Sequence, residues 1–386
     1  MKKLSYGLRG LIAALLGVAL LAGFTPVARA QGITNTGALS LDTSAGDPAA
    51  FLAFTDTSSI TCLVWNRYFN GGWSWPLEPA PGPTACGSSG FISTGVFATT
   101  YNLGSARHYV AFTFAPLGLT EYDDGFTKPS FYTSQYLFGG PAGAYAVGAT
   151  TAYISGTRAS EPFAFVHNGV ALWSSSWNGS AFVWTNHGAP AGVSISQAVG
   201  TLAVAAGSNW NPYAFVIGTD GNLWSRWWNG SVWTWTNHSK PSGVSLSTAV
   251  GATVIASGTR PFVYIVGSDG NLWSRNWTNS AWGWTNHGKP SGITLSSSMG
   301  STCGNNCGSP FAFLLGSDGN LWSNDWSGSA WRWTNHSKPA GITLGASIGA
   351  TAVSFSRPYV FIMGSDGHVW LRQWDGSAWS WVNQGI

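Results

Sequence analysis

The chain has 386 residues, of which only 8% are charged while 15% are aromatic, with 24 Trp, 20 Phe, 12 Tyr, 51 Gly and 18 Pro. So much apolar side chain beside so little charge excludes a disordered chain, and the glycine and proline content favours short elements joined by many turns over a helical bundle. The formal charge of +3 arises within residues 1–30; without Lys2, Lys3, Arg9 and Arg29 it becomes −1, which removes the electrostatic basis for nucleic-acid binding.

Residues 1–30 read as a secretory signal. Lys2, Lys3 and Arg9 precede the apolar run Leu11 to Phe24, and Ala28-Arg29-Ala30 supplies the small-x-small site, so cleavage is expected near Ala30. An uncleaved membrane anchor is the competing reading, but the run is short for a span and a cleavage site follows it, so no membrane insertion is expected of the mature chain. Four cysteines in an exported protein favour disulfides over metal sites or catalytic thiols. Sequence proximity pairs Cys62 with Cys86 and Cys303 with Cys307, one of three connectivities. No metal site and no cofactor is expected.

A repeat organises the rest of the chain. An eroded first copy begins at Phe51-Leu52-Ala53-Phe54 and continues through Trp65, Arg67, Phe69, Trp73 and Trp75. A second opens at Tyr109-Val110-Ala111-Phe112 and degenerates from Tyr122 to Phe138. Five clear copies start at Pro162, Pro212, Pro261, Pro310 and Pro358, a spacing of 48 to 50 residues. Residues 31–386 hold about seven such periods, which predicts seven repeats in a single domain.

Each copy reads as four short strands. In the fifth these are Ala249 to Ala256, Phe262 to Gly267, Leu272 to Trp277 and Trp282 to Asn286, with Asp-Gly and Asn-Gly at hairpin positions that suggest type I′ turns. A four-stranded meander cannot bury both faces alone. Seven arranged radially can, which predicts an all-β, seven-bladed β-propeller, each blade a four-stranded antiparallel meander. Side-chain size agrees: the first strand is small (Val250-Gly251-Ala252-Thr253), as a narrow axis requires, and Trp fills the third and fourth. A horseshoe solenoid is the runner-up, but it would want polar capping repeats, and the last copy stays typical through Trp379 and Trp381.

Catalytic groups are scarce. Asp220, Asp269, Asp318 and Asp366 precede glycine in the hairpins, and Asp123-Asp124, followed by Gly125, reads as another turn. His187, His238, His287 and His336 recur once per copy after Asn186, Asn237, Asn286 and Asn335, too far apart around a ring to share one metal or catalytic centre. They are expected to bond the loop to the next blade, with ligand contact in each groove as the second reading. Asn178-Gly179-Ser180 and Asn229-Gly230-Ser231 fit the glycosylation pattern, but the hairpin explains them better.

The third strand carries a more suggestive set. Trp224, Arg226 and Trp228 share one face, as do Trp273, Arg275 and Trp277, and Trp370, Arg372 and Trp374. Arg among indoles stacks by cation–π contact, which alone explains the pattern structurally. The functional reading is a sugar site, since a pyranose has an apolar C–H face for Trp and hydroxyls for Arg.

The run Gly-Ser-Asp-Gly-Asn-Leu-Trp-Ser-Arg at 267–275, followed by Trp277 and Trp282 to Trp284, resembles the repeat of the PLL-like bacterial lectins, seven-bladed β-propellers that bind L-fucose and related, sometimes O-methylated sugars; fungal fucose lectins and tectonins carry looser versions. The resemblance covers about 160–386 closely and 33–159 weakly. It implies a secreted, multivalent, non-catalytic lectin whose partners are fucosylated or methylated glycans on cell surfaces or glycoproteins. Assembly into a homo-oligomer is left open. The implied carbohydrate-binding residues are Trp224, Arg226, Trp228 and Trp233; Trp273, Arg275, Trp277 and Trp282; Trp322, Trp326 and Trp331; and Trp370, Arg372, Trp374 and Trp379. The pattern departs where Ser175 and Asn324 replace Arg and Phe182 replaces Trp. A glycan hydrolase or lyase on the same scaffold, and a protein-interaction propeller without sugar binding, are the competing functions.

Overall fold

The computed structural model describes residues 140–385 with their side chains, apart from positions 142, 153–160, 179–180, 257, 279, 346 and 353–355, and before them the paths of strands between residues 35 and 137. The signal segment at 1–30 and the proposed Cys62–Cys86 pair rest on residues outside that set. Cys303 and Cys307 form a disulfide.

Strands follow one another in groups of four. The first two groups are β1 Asn35–Leu41, β2 Pro48–Thr55, β3 Thr61–Phe69 and β4 Gly72–Ser74, then β5 Gly95–Leu103, β6 Ala106–Ala115, β7 Gly118–Gly125 and β8 Tyr132–Leu137. The third comprises β9 Tyr145–Ala152, β10 Glu161–His167, β11 Leu172–Trp177 and β12 Phe182–Gly188, and the fourth β13 Ile195–Ala206, β14 Asn209–Gly218, β15 Leu223–Trp228 and β16 Trp233–Ser239. The fifth is β17 Leu246–Ile255, β18 Arg260–Gly267, β19 Leu272–Trp277 and β20 Trp282–Gly288. The sixth is β21 Leu295–Gly304, β22 Ser309–Gly316, β23 Leu321–Trp326 and β24 Trp331–Asn335, and the seventh β25 Leu344–Val353, β26 Arg357–Gly364, β27 Val369–Trp374 and β28 Trp379–Asn383. Each group is one antiparallel sheet paired in sequence order.

The core lies between sheets. Val199, Leu202, Phe215, Ile217 and Leu223 of the fourth sheet pack with Val263 and Ile265 of the fifth, and Met299, Phe311, Phe313, Leu315 and Leu321 of the sixth with Leu344, Val360 and Ile362 of the seventh. Second strands are therefore covered on both faces and buried along their length, as in β18 from Pro261 to Gly267. Burying rings such as Phe215 and Phe313 completely is worth about 2–3 kcal/mol each.

First strands lie against one another in succession: β9 on β13, β13 on β17, β17 on β21 and β21 on β25. Small residues make this approach possible. Gly251 sits where the β17–β18 register shifts, with φ of 144°, and a Cβ there would lie 2.8 Å from Ser301 Oγ of the next sheet. Hydroxyls tie the strands across the gap: Ser298 Oγ donates to the Val250 carbonyl at 2.9 Å, and Ser347 Oγ to that of Met299 at 3.0 Å.

Two expectations change. The Asp-Gly and Asn-Gly hairpins are not type I′, because Asp220 and Asn229 keep negative φ and only Gly221 and Gly230 are positive, at 74° and 101°. Gly221 N–H closes a tight turn onto the Gly218 carbonyl at 2.9 Å, and Asn229 Oδ1 instead accepts the N–H groups of Ser231 and Val232. The side-chain oxygen does the turning that a second positive φ would otherwise do. Asp123 and Asp124 lie within β7, opposite Thr133 and Tyr132, and not in a turn.

Gly251→Val should destabilise the protein by about 2–3 kcal/mol, through strain at positive φ and collision with Ser301. An unaltered melting temperature would contradict the close packing of β17 on β21.

Candidate functional site: grooves between the sheets

In the fourth to seventh sheets the first tryptophan of the third strand is fixed by the turn before it. Asp220 folds back through the Asn222 N–H at 3.0 Å, and both its carboxylate oxygens accept Trp224 Nε1 at 3.1–3.2 Å. Asp269 with Trp273, Asp318 with Trp322 and Asp366 with Trp370 repeat the bond. In the third sheet Asn168 stands in the equivalent turn, and Trp173 Nε1 is buried without a partner. The repeated acids are thus committed to indoles.

In the fourth to seventh sheets the first tryptophan of the fourth strand belongs to the joint with the preceding sheet. Trp233 lies 4.4 Å from the His187 ring, Trp282 4.4 Å from His238, Trp331 4.2 Å from His287 and Trp379 4.4 Å from His336, centroid to centroid. The second tryptophan donates to the backbone of that same histidine: Trp235 to His187 at 3.2 Å, and Trp284, Trp333 and Trp381 to His238, His287 and His336 at 3.0 Å. Each imidazole bonds a serine of its own sheet thirteen residues earlier, Ser225 with His238 at 2.8 Å, Ser274 with His287 at 2.8 Å and Ser323 with His336 at 2.9 Å. The histidines therefore join neighbouring sheets, but through ring packing and their carbonyls, while the imidazole nitrogen stays within its own sheet. Serine and histidine disappear together in the seventh sheet, where Leu371 and Gln384 take their places. That thirteen-residue coupling is a signal of the joint carried by the sequence itself.

What remains on that face of the sheet is a guanidinium and one indole. Arg226 lies 5.5 Å above Trp235, Arg275 5.6 Å above Trp284, and Arg372 5.4 Å above Trp381. These arginines are half-buried, and the Nε of each is buried without a hydrogen-bond partner. Burial holds their pKa below the ordinary value. The last tryptophan of the third strand packs against this histidine–indole clasp, Trp228 5.8 Å from Trp233, Trp277 5.9 Å from Trp282, Trp326 5.6 Å from Trp331 and Trp374 5.7 Å from Trp379.

The third-strand Trp, Arg, Trp set thus does share one face, together with both fourth-strand tryptophans. Its members differ in role: Trp224 and its equivalents are tied to aspartate, Trp233 and its equivalents are joint residues, and Arg226 and Trp228 with theirs border the groove. The facing wall changes from groove to groove, which the repeat pattern did not reveal. It carries Ser176 in the third sheet, Trp227 stacked on Tyr213 at 5.0 Å in the fourth, Asn276 in the fifth, and in the sixth Asp325 paired with Arg332 at 2.8 Å. Burial raises the Asp325 pKa in spite of that ion pair. Among the described residues no three His, Cys, Asp or Glu side chains converge as a metal site would require.

No protein-family model matches the chain, and no curated protein matches it. Among solved structures, the BP39L lectin from Burkholderia pseudomallei aligns with a TM-score of 0.60 at 16% identity, over 91% of this chain and 98% of that one. The fucose-specific lectin from Aleuria aurantia, in a mercury-derivative form, aligns with a TM-score of 0.52 at 16% identity, over 74% and 94% of the two chains. The fold of the Aleuria lectin is described as a six-bladed β-propeller. The described four-stranded antiparallel sheets thus form an all-β fold like that of these propeller lectins, each such sheet corresponding to a blade.

The clasp makes stability pH-dependent. Burial, reinforced by the arginine of the next blade, lowers His187, His238 and His336 to about 3, and burial lowers His287 to about 4. Above pH 6.5 these imidazoles are neutral in the folded and the unfolded chain. Below it the unfolded chain takes up protons that the folded one refuses, so stability falls as pH falls toward 4, by about 2 kcal/mol per imidazole at pH 5. Urea unfolding at pH 7 and pH 5 should show a marked loss at the lower pH, and equal free energies would contradict a buried neutral clasp.

Proposed function

We propose that the protein is a multivalent, non-catalytic lectin whose binding sites are the grooves between blades. The observation that carries this reading is the threefold recurrence, at the third–fourth, fourth–fifth and sixth–seventh junctions, of a half-buried guanidinium with an unpartnered Nε, stacked on the second fourth-strand tryptophan and sharing its face with Trp228, Trp277 or Trp374. An indole takes the C–H face of a pyranose, and an arginine already desolvated gives its hydrogen bonds to hydroxyls at little further cost. Rigid strands hold both, so little ordering entropy is lost on binding.

Fucose or a related, O-methylated sugar is the proposed ligand class, in keeping with the repeat resemblance and with the fucose-specific Aleuria lectin among the structural neighbours. Commitment of Asp220, Asp269, Asp318 and Asp366 to indoles, of Asp325 to Arg332 and of Asp375 to the N–H groups of Ser377 and Ala378 supports binding without hydrolysis. We further propose that seven blades close into one ring. The backbone contacts of β25 with β1, β1 with β5, and β5 with β9 support closure. Export by the segment ending near Ala30 is proposed from its sequence pattern, and the Cys303–Cys307 disulfide suits an oxidising compartment.

A monosaccharide covers little area, so each site should bind in the millimolar to micromolar range, and several sites on one rigid body should gain on the order of 10²–10⁴ in avidity on a glycan-coated surface. Calorimetric titration with methyl α-L-fucoside should give a stoichiometry well above one, and the paired change Trp277→Ala with Arg275→Ala should lower it by about one while the protein stays folded. A stoichiometry of one, or unfolding on that change, would mean that the Trp/Arg face is core.

A further inference from the structure

The four junctions between the third and seventh sheets are not alike among their described residues, and the difference lies in one position on each side of the joint. In three of them a phenylalanine sits in the second strand of the leading blade: Phe165, Phe215 and Phe313, fully buried and 5.9–6.2 Å from the joint histidine. The trailing blade supplies Arg226, Arg275 or Arg372, near enough to depress that histidine electrostatically. In the fifth–sixth groove both change. Tyr264 stands in the phenylalanine position, fully buried and 5.9 Å from His287, and Asn324 stands in the arginine position.

The exchange alters what the groove offers. Asn324 is fully buried, so no donor from that position reaches the groove mouth, and its Nδ2 turns to the Arg332 carbonyl of its own blade at 3.2 Å. Its Oδ1 and the Tyr264 hydroxyl are both buried without a partner, and Tyr264 lies within the field of Asp325 in the sixth blade. The larger ring thus accompanies the shorter side chain, and both polar ends are buried. The facing wall is equally self-contained: Asn276 Oδ1 accepts Ser274 Oγ at 3.3 Å and Thr285 Oγ1 at 3.2 Å, and Ser274 also bonds His287. Trp326 and Trp331 are still present, so the tryptophans alone do not distinguish this groove from the others.

Resting on the lectin reading, we infer that the residue pair at the 264 and 324 positions determines whether a groove accepts sugar: Phe with Arg makes an open site, and Tyr with Asn makes a closed structural joint. The fifth–sixth groove is the closed one. Two variants test this by titration with methyl α-L-fucoside, with thermal melting as the check on folding. Trp326→Ala, at the mouth of the closed groove, should leave the wild-type stoichiometry unchanged, whereas Trp277→Ala should lower it by about one. Tyr264→Phe combined with Asn324→Arg should raise it by about one. A lowered stoichiometry for Trp326→Ala, or a folded double variant with no added site, would overturn the inference. If the double variant does not fold, Trp326→Ala decides alone. Wild-type protein that binds no sugar at all would instead refute the lectin reading, and the inference would fall with it.

Discussion

The contact on which the structure depends is the joint between consecutive blades, where a neutral imidazole meets an indole ring and a second indole donates to the backbone of the same residue. A four-stranded meander has two apolar faces and no way to bury either alone. Repeating one directional joint fixes the distance and orientation of each neighbour, and the apolar clusters then fill the space between blades. Burial in the joint disfavours the protonated imidazole, and the serine of its own blade holds the ring in place. The arginine of the next blade adds to that requirement.

The same joint shapes the candidate sites. In the copies starting at Pro212, Pro261 and Pro358 it consumes both fourth-strand tryptophans, and the aspartate turn fixes the first of the third strand, so on that face only the last tryptophan of the third strand and the neighbouring arginine remain for a ligand. Pinning the other three makes the remainder rigid. A site so built can vary one wall at a time without disturbing the joint, and residues 176, 227, 276 and 325 differ while His187, His238, His287 and His336 do not.

Much of this was legible in the sequence because a repeat gives each position several independent readings. The 48–50 residue period, the four strands per copy and the Trp, Arg, Trp face follow from spacing and period-two alternation. Division of labour among the tryptophans did not follow, since Trp224, Trp228 and Trp233 look equally suited to a sugar until Asp220 and His187 are brought beside two of them. Turn type also escaped, because Asn229 can satisfy the hairpin with its side-chain oxygen as readily as by adopting positive φ. The role of Tyr264 is a joint property: it depends on Asn324, sixty residues away, and only the packing of one blade on the next relates them.

The central claim is that sugars occupy inter-blade grooves bordered by arginine and tryptophan. A crystal structure of the protein soaked with methyl α-L-fucoside tests it most directly. The account predicts sugar rings beside Trp228, Trp277 and Trp374, with hydroxyls within hydrogen-bond reach of Arg226, Arg275 and Arg372, and none beside Trp326. Sugar bound elsewhere on the molecule, with those three grooves empty, would contradict it.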